Sequence, residues 1–271
     1  MAATALPLIQ SEPYRELQVT VWGQGEPALF VHGGFTHGEE DWKAQRPLAD
    51  RHRILLVDRC GHGKSPDLPG RYNLETQAHD LLQLLPSPCH VVGVSYGAVV
   101  SLLAAALDPE HVRSLTLIEP PAFGLVRGHP DVEILIERLT GVWDNAGITT
   151  PEESFATFLA RLGIPRVEPL SSNGSHNIQA SLREQPPWVA RIPLREFAQA
   201  HVPVLVVSGG WPMAAVRPGM ASAWRAMRAV CEEIVARLNA QYEIFPAAYH
   251  NVQVLGKPFN DRLESFWARA S

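Results

Sequence analysis

The amino-acid sequence predicts an α/β protein with a mostly parallel central sheet and helices on both of its faces. Short apolar runs alternate several times with segments of helical character, and these runs are too apolar to leave one strand face in water. The runs lie at residues 28–31, 53–57, 91–94, 114–118, 203–208 and 242–245. The alternation stops near residue 122 and resumes near residue 200, which indicates an insertion into one sheet domain.

Composition and charge point to a globular domain and against several kinds of partner. Of the 271 residues, 46% are hydrophobic and 19% are charged, and the net charge is −5 with no lysine or arginine run. We therefore expect neither nucleic acid nor a membrane as a partner. Residues 1–10 lack a signal-peptide pattern, and no apolar run has the length of a membrane span. The oligomeric state is not readable from the sequence.

The cysteines point to a reducing compartment. There are three, Cys60, Cys89 and Cys231, and they are widely spaced with no Cys-x-x-Cys pair. An odd number at such spacing is typical of free thiols rather than of a disulfide framework. We therefore expect a cytoplasmic protein.

Two glycines directly follow the apolar run that ends at Val31. In His32-Gly33-Gly34-Phe35, backbone N–H groups can face a ligand because no side chain stands in the way. One interpretation makes the Gly34 N–H an oxyanion donor and Phe35 a wall of a pocket; the other is an ordinary glycine turn. Further on, Asp41 and Trp42 begin a predicted helix towards Leu48, and residues 39–41 place acidic groups where they would cap it.

The stretch from His90 to Leu107 has the strand–turn–helix pattern of a nucleophile elbow. An apolar run ends in Gly93-Val94-Ser95-Tyr96-Gly97, and an alanine- and leucine-rich helix follows at once. Such a sharp turn needs glycines because strand and helix nearly touch, and it lifts the hydroxyl of Ser95 clear of the sheet. The Tyr96 N–H would then lie beside any oxyanion formed there. The alternative is a glycine-flanked serine in an ordinary turn.

The insertion from about residue 122 to residue 200 is expected to be helical and to lie over the sheet as a cap. It contains amphipathic segments and several large aromatic side chains, among them Trp143, Phe158 and Trp188. We expect these three to line a substrate pocket. The predicted domain division is therefore a core of residues 1–121 and 201–271 with a cap of residues 122–200.

Four motifs in this order resemble those of the α/β-hydrolase superfamily. They are the glycine turn after His32, the stretch Asp58-Arg-x-Gly-His-Gly-x-Ser, the elbow around Ser95, and a late histidine, His250, after a short strand. The resemblance covers nearly the whole chain apart from the insertion. It implies the α/β-hydrolase fold and a serine nucleophile with His250 as its base. The sequence has neither a metal-ligand cluster nor a Gly-x-Gly-x-x-Gly after a strand, so we expect no metal and no cofactor.

The acid that would orient His250 departs from the usual family pattern. After the penultimate strand, where the family commonly has an aspartate, the sequence reads Gly209-Gly-Trp211-Pro, and no acid follows until Glu232. Glu119 ends the strand after the nucleophile's helix, a position at which some relatives carry their acid. We therefore predict a triad of Ser95, His250 and Glu119. The alternative is that Glu119 pairs with a cap arginine and the triad is degraded.

A serine nucleophile implies attack on a carbonyl carbon and an acyl-enzyme. Hydrolysis of a carboxylic ester or lactone of a mainly apolar small molecule is the leading hypothesis. A carbon–carbon bond hydrolase acting on a β-diketone-like substrate would use the same residues, and the fold also serves as a non-catalytic ligand receptor. Trp211 follows the penultimate strand and Tyr249 directly precedes His250, and both are expected to join Phe35 in lining the pocket.

Overall fold

A seven-stranded sheet with the order β1-β3-β2-β4-β5-β6-β7 forms the centre of the protein. The computed structural model describes residues 16–86, 88–144, 149–164, 174–212 and 217–270. Only β1 runs antiparallel, against β3, and all other neighbouring strands are parallel. The strands are β1 Val19–Trp22, β2 Glu26–Val31, β3 His52–Val57, β4 Cys89–Val94, β5 Val112–Ile118, β6 Val204–Gly209 and β7 Gln241–Phe245. The predicted mostly parallel sheet is confirmed.

Helices cover both faces of this sheet. The α-helices in the described part of the chain are α1 Gly38–Asp41, α2 Leu74–Leu82, α3 Tyr96–Leu107, α4 Pro130–Asp144, α5 Pro151–Arg161, α6 Gly174–Arg183, α7 Leu194–Ala198, α8 Pro218–Leu238 and α9 Lys257–Trp267. Short 3₁₀ turns join several of them. None of the helices within the described ranges is both long and apolar enough to cross a membrane.

The alternation of side chains along the strands divides the core in two. In β2, Leu29 and Val31 belong to a cluster with α2, α3 and α8, whereas Phe30 belongs to a cluster with Trp42 and α9. Successive side chains of a strand point to opposite faces, so a fully apolar strand supplies both clusters. This burial on both sides explains why the strands read as continuous apolar runs.

The segment that follows β2 differs from its prediction. The sequence pattern predicts one helix from Asp41 to Leu48, but the structure has the single-turn helix α1 and then a 3₁₀ helix at Lys43–Asp50. Pro47 lies inside the second piece, where it has no N–H to donate to an α-helical ladder. The fully buried Trp42, whose ring meets that of Phe30 at 5.0 Å, lies at the break.

The helices α4 to α7 occupy the predicted insertion. Asn73 caps α2, and inside the predicted insertion Thr150 and Glu153 form a capping box at the start of α5. Helix α4 packs on α8, α5 packs on α6, and α7 packs on α3 and α8. Residues 1–15, on which the expectation of no signal peptide rests, lie outside the described residues. The limits of the cap at 122 and 200 stay a prediction.

Candidate active site

Ser95 lies in a sharp turn between β4 and α3. Its backbone has φ 53° and ψ −124°, a conformation that residues other than glycine rarely adopt. A Cβ at Gly93 would lie 2.7 Å from the Cα of Ala98, and one at Gly97 would lie 2.2 Å from the carbonyl oxygen of His32. Neither position can therefore accept a side chain, which is the crowding expected of an elbow.

The structure brings Glu119 and His250 into direct contact. Glu119 directly follows β5 and is 1% exposed, while His250 lies on the loop after β7 and is 27% exposed. The Nδ1 of His250 lies 2.7 Å from Oε2 of Glu119. A neutral imidazole that donates through Nδ1 leaves Nε2 as an acceptor, which is the tautomer that a serine nucleophile requires of its base.

The second oxygen of Glu119 also has partners. Oε1 accepts hydrogen bonds from the Gly209 backbone N–H at 2.8 Å and from the Trp211 indole Nε1 at 2.9 Å. Among the described residues, no cap arginine pairs with Glu119, contrary to the alternative interpretation. Trp211, expected in the pocket wall, is thus tied to the acid, and its ring lies 6.1 Å from that of His250.

The glycine turn after β2 lies against Ser95. A Cβ at Gly33 would lie 3.3 Å from the Cβ of Ser95, while one at Gly34 would meet only Oγ of Ser181 at 3.7 Å. Within the described part of the chain, the N–H groups of Gly34 and Tyr96 have no hydrogen-bond partner. The two predicted oxyanion donors therefore lie on two segments that meet at Ser95, and both N–H groups are available to bind an oxyanion.

A buried arginine, Arg59, donates hydrogen bonds to this turn. The guanidinium of Arg59 donates through Nε to the carbonyl oxygen of His32 at 3.1 Å and through Nη2 to that of Gly33 at 2.8 Å. It also forms an ion pair with Glu184, and both side chains are 1% exposed. Burial raises the pKa of the Glu184 carboxyl to about 7, although the guanidinium acts in the opposite direction. Glu184, a residue of the predicted insertion, is thus joined to the turn beside the predicted nucleophile.

Helix α6 makes a second connection between the insertion and the turn. Oγ of Ser181 accepts a hydrogen bond from the Phe35 N–H at 2.8 Å and lies 3.0 Å from Nε2 of His62. Nδ1 of His62 lies 3.0 Å from the Cys60 carbonyl oxygen, so Nδ1 carries the proton and the Ser181 hydroxyl donates to Nε2. Burial lowers the pKa of His62 well below its ordinary value, so the ring is neutral.

Asp41 is a site neighbour that the sequence analysis assigned to another role. Its carboxylate does not cap a helix: Oδ2 accepts from the Gly33 N–H at 2.8 Å and Oδ1 accepts from Nε2 of Gln253 at 2.7 Å. It thereby joins the glycine turn to the segment that follows His250. Burial raises the pKa of this carboxyl. An acidic cluster at the start of a helix carries no sequence signal of such a long-range contact.

The predicted pocket aromatics fall into two groups. Phe35 contacts Phe158 with ring centroids 4.9 Å apart, Phe158 contacts Trp143 at 6.1 Å, and Trp143 contacts Trp188 at 5.3 Å. This chain runs from the glycine turn into the insertion. Trp211 and Tyr249 form the other group beside His250, with centroids 6.4 Å apart, and Tyr249 is 41% exposed. Their contacts with a substrate stay predictions.

Nowhere in the described ranges do three or more His, Cys, Asp or Glu side chains form a group that could hold a metal ion. The three cysteines are buried. The site offers a serine, a histidine, a carboxylate and two unpaired N–H groups, which together suit nucleophilic attack on a carbonyl.

Comparison with known families agrees with the fold and with the motif order. The family model described as alpha/beta hydrolase fold matches residues 27–257 of this chain. The chain therefore belongs to the α/β-hydrolase family.

Individual relatives are similar over parts of the chain or at low identity. The pimeloyl-acyl-carrier-protein methyl ester esterase of Methylococcus capsulatus is 42% identical over 113 residues, which cover 41% of this chain and 44% of that protein. The enzyme of the same name from Aeromonas salmonicida is 29% identical over 67% of this chain and 68% of its own length. A hydrolase from Pseudomonas aeruginosa has a crystal structure with a TM-score of 0.67 at 25% identity, covering 92% of this chain and 93% of that chain. The match thus spans less than half of the Methylococcus relative.

Proposed function

We propose that this protein is a serine hydrolase that cleaves the carboxylic ester of a small, mainly apolar molecule. The observation that carries the proposal is the 2.7 Å contact between His250 and Glu119 in a chain whose elbow presents Ser95. A buried carboxylate on Nδ1 of a histidine, acting together with a serine in a strained turn, is the arrangement that activates a hydroxyl nucleophile. Relatives named as methyl ester esterases agree with this class of reaction.

In the proposed first half-reaction, the oxygen of Ser95 attacks the ester carbonyl carbon while Nε2 of His250 takes the hydroxyl proton. The carbonyl oxygen becomes an oxyanion, which the N–H groups of Gly34 and Tyr96 stabilise. The carbon–oxygen bond to the alcohol then breaks, the imidazolium returns its proton to the leaving alkoxide, and an acyl-enzyme remains. Glu119 stabilises the imidazolium throughout.

In the second half-reaction, water gives a proton to Nε2 of His250 and attacks the acyl carbon. The bond to Ser95 breaks, the serine regains its proton, and a carboxylic acid leaves. A lactone would follow the same steps without loss of a separate alcohol. The insertion of residues 122–200 would act as a cap, with Phe35, Trp143, Phe158 and Trp188 as an apolar wall and with Trp211 and Tyr249 on the side of His250.

The test is covalent labelling of the purified protein with a fluorophosphonate, followed by intact-mass measurement. We expect one adduct on the wild type and none on Ser95→Ala, because the proposal gives Ser95 an activated hydroxyl beside two N–H donors. Ser101, a fully buried serine of α3, gives the control variant Ser101→Ala, which should still be labelled. Labelling that persists in Ser95→Ala would show that another residue is the nucleophile.

Turnover separates the remaining alternatives. p-Nitrophenyl esters, aryl lactones and β-diketones are assayed with the wild type and with Ser95→Ala. Ester turnover that disappears in the variant supports the proposal. Turnover of the β-diketone alone would support a carbon–carbon bond hydrolase, and labelling without turnover of any substrate would support a ligand receptor.

A further inference from the structure

We infer that Trp211 is a positioning residue for the acid of the triad: its indole N–H, together with the Gly209 N–H, holds one oxygen of Glu119 so that the other faces His250. The inference rests on the proposed function, in which Glu119 orients His250. The contacts that carry it are 2.9 Å from Nε1 of Trp211 to Oε1, 2.8 Å from Gly209 N to Oε1 and 2.7 Å from Oε2 to Nδ1 of His250.

A glutamate at this position needs such a support because its carboxylate turns easily. The last side-chain torsion of glutamate is broad, so a single contact leaves the plane of the carboxylate free to rotate. Here, two donors converge on Oε1 from the end of β6 and from the turn after it. With Oε1 held by both donors, the carboxylate keeps a single orientation, in which Oε2 faces the imidazole of His250.

The chemical character of the two donors matches the task. An indole N–H and a backbone N–H can only donate, so both require an acceptor oxygen. The carboxylate is 1% exposed, and burial of such a group is costly unless hydrogen bonds replace its water. Trp211 is itself 4% exposed, and its N–H would be left unpaired without Glu119. The bond therefore satisfies two buried groups at once.

The backbone of Trp211 is also held in a fixed conformation by hydrogen bonds. Its φ is 47°, in the left-handed region that a bulky residue rarely occupies. The Trp211 N–H donates to the Ala248 carbonyl oxygen at 2.9 Å, and the Gly210 N–H donates to that of Phe245 at 2.9 Å. These bonds tie the turn after β6 to the loop that leads to His250. One residue thus braces the acid through its side chain and the histidine loop through its main chain.

The test is a double-mutant cycle with Trp211→Phe and Glu119→Gln on a p-nitrophenyl ester. Phenylalanine keeps an aromatic ring and removes the donor. We expect Trp211→Phe to lower kcat about tenfold to a hundredfold, the loss of a hydrogen bond to a charged group, with KM within a factor of about two. In the Glu119→Gln background the same change should lower kcat less than about twofold, because Trp211 acts through Glu119.

A pocket role for Trp211 would give another result. If the indole only contacted substrate, Trp211→Phe would raise KM and would cost the same in both backgrounds. Equal costs in the two backgrounds would overturn the inference. Trp224→Phe, a half-buried tryptophan on α8 whose ring lies under Arg228, is the matched control and should leave kcat and KM unchanged.

A second measurement needs no turnover and separates a failure of this inference from a failure of the proposed function. A histidine Nδ1–H held by a carboxylate gives a far-downfield proton resonance, assigned here by its loss in His250→Ala. We expect the resonance to broaden or move in Trp211→Phe and to persist in Trp224→Phe. An unchanged resonance in Trp211→Phe would contradict the inference even if the ester assays succeed.

A shape-preserving replacement guards against loss of folding in Trp211→Phe. β-(3-Benzothienyl)alanine at position 211 has the size of tryptophan and a sulfur in place of the N–H. We expect it to fold with the thermal midpoint of the wild type to within a few degrees and to reproduce the lower kcat and the altered resonance. Wild-type kcat in this variant would show that the N–H plays no part.

Discussion

Strained backbone is concentrated at the predicted site. Among the described residues, positive φ at a non-glycine occurs at Phe35, Ser95, Glu119, His201, Trp211 and Asn239, and four of these six are predicted site residues. Such conformations cost about 1–3 kcal/mol each and persist only where the surroundings fix them. At Glu119 the N–H donates to the Val207 carbonyl oxygen at 3.0 Å, and at Ser95 it donates to that of Ile118 at 2.8 Å. The sheet therefore supplies the bonds that hold these residues in place.

The sharpest residue-level prediction concerns Glu119. Glu119→Gln should fold and bind substrate but lose several orders of magnitude in kcat, by analogy with the roughly 10⁴-fold loss when the acid of a related triad becomes an amide. The amide cannot accept at both positions, so the imidazole loses the partner that stabilises its charged form. The measurement is steady-state hydrolysis of a p-nitrophenyl ester.

The control for this variant is Glu243→Gln, which changes a half-buried carboxylate of β7 paired with Arg262. It should keep the wild-type kcat. Near wild-type turnover in Glu119→Gln would mean that His250 is oriented by another group, and the predicted triad would be wrong.

The helices of the insertion are joined to the turn beside Ser95 through particular polar contacts. Ser181 of α6 holds the Phe35 N–H, Asn177 of the same helix accepts from the Gly63 N–H at 3.0 Å, and Glu184 pairs with Arg59. These bonds fix α6 and its following residues against the loops of the sheet. Phe155 and Phe158 of α5 pack on Phe35 through apolar ring contacts, each with centroids 4.9 Å apart and with the rings tilted. We therefore expect the insertion to determine specificity while the loops of the sheet determine the chemistry.

Phe158 tests this division. Phe158→Ala should change the relative kcat/KM for short and long acyl chains by about 1–3 kcal/mol, the range for removing part of an apolar wall. Phe158 is half-buried and contacts both Phe35 and Trp143, so its truncation opens space next to the glycine turn. A series of p-nitrophenyl esters from acetate to octanoate measures the effect.

Ile134→Ala is the matched control, since Ile134 on α4 is 41% exposed. It should leave the order of preference for acyl chains unchanged. An equal loss of kcat/KM for all esters in Phe158→Ala would point to a folding defect and would contradict a role in specificity.

The molecule as a whole buries several histidines in their neutral form. His32, His62 and His90 are fully buried, and burial lowers the pKa of each, that of His90 to about 4. His90 stacks on Trp267 with ring centroids 4.9 Å apart and lies 2.7 Å from Oγ of Ser114 through Nδ1. In the unfolded chain these groups bind protons near their ordinary value of 6.5. At acid pH the folded state therefore binds fewer protons at these histidines than the unfolded chain does.

The stability of the protein should therefore depend on pH in a defined direction. Since His90 has a lowered pKa in the folded state, its contribution is fully present above pH 6.5 and is lost as the pH falls towards 4, by at most about 1.4 kcal/mol per pH unit. Urea unfolding at neutral pH and at about pH 5 measures this loss. His90→Asn removes the titrating ring, so its free energy of unfolding should fall less with acid than that of the wild type.

The exposed His79 provides the control variant, His79→Asn, which should follow the wild type. The comparison of variants cancels the raised pKa values of Asp41 and Glu184, which change stability in the opposite direction with pH. Identical acid losses in His90→Asn and the wild type would refute the assignment to His90.

The sequence by itself determined the elements whose signals are local. A buried parallel strand reads as an apolar run and an elbow as a serine between two glycines, so the parallel sheet and the turn at Ser95 were readable in the chain. Glu119 was identified as the candidate acid because the position usual in the family holds no carboxylate. The strand and elbow signals lie within a few residues, where periodicity and steric crowding act directly, whereas the choice of Glu119 rests on the family pattern.

Only the tertiary structure decided which distant side chains meet. The bond from Trp211 to Glu119 joins positions 92 residues apart, that from Gln253 to Asp41 joins positions 212 apart, and that from Arg59 to Glu184 joins positions 125 apart. A tryptophan after a strand reads as an apolar wall, and an aspartate before a helix reads as a cap, because their polar atoms choose partners only when burial removes water. The physical reason is that burial, and with it the need for a partner, is a property of the packed molecule and not of any segment.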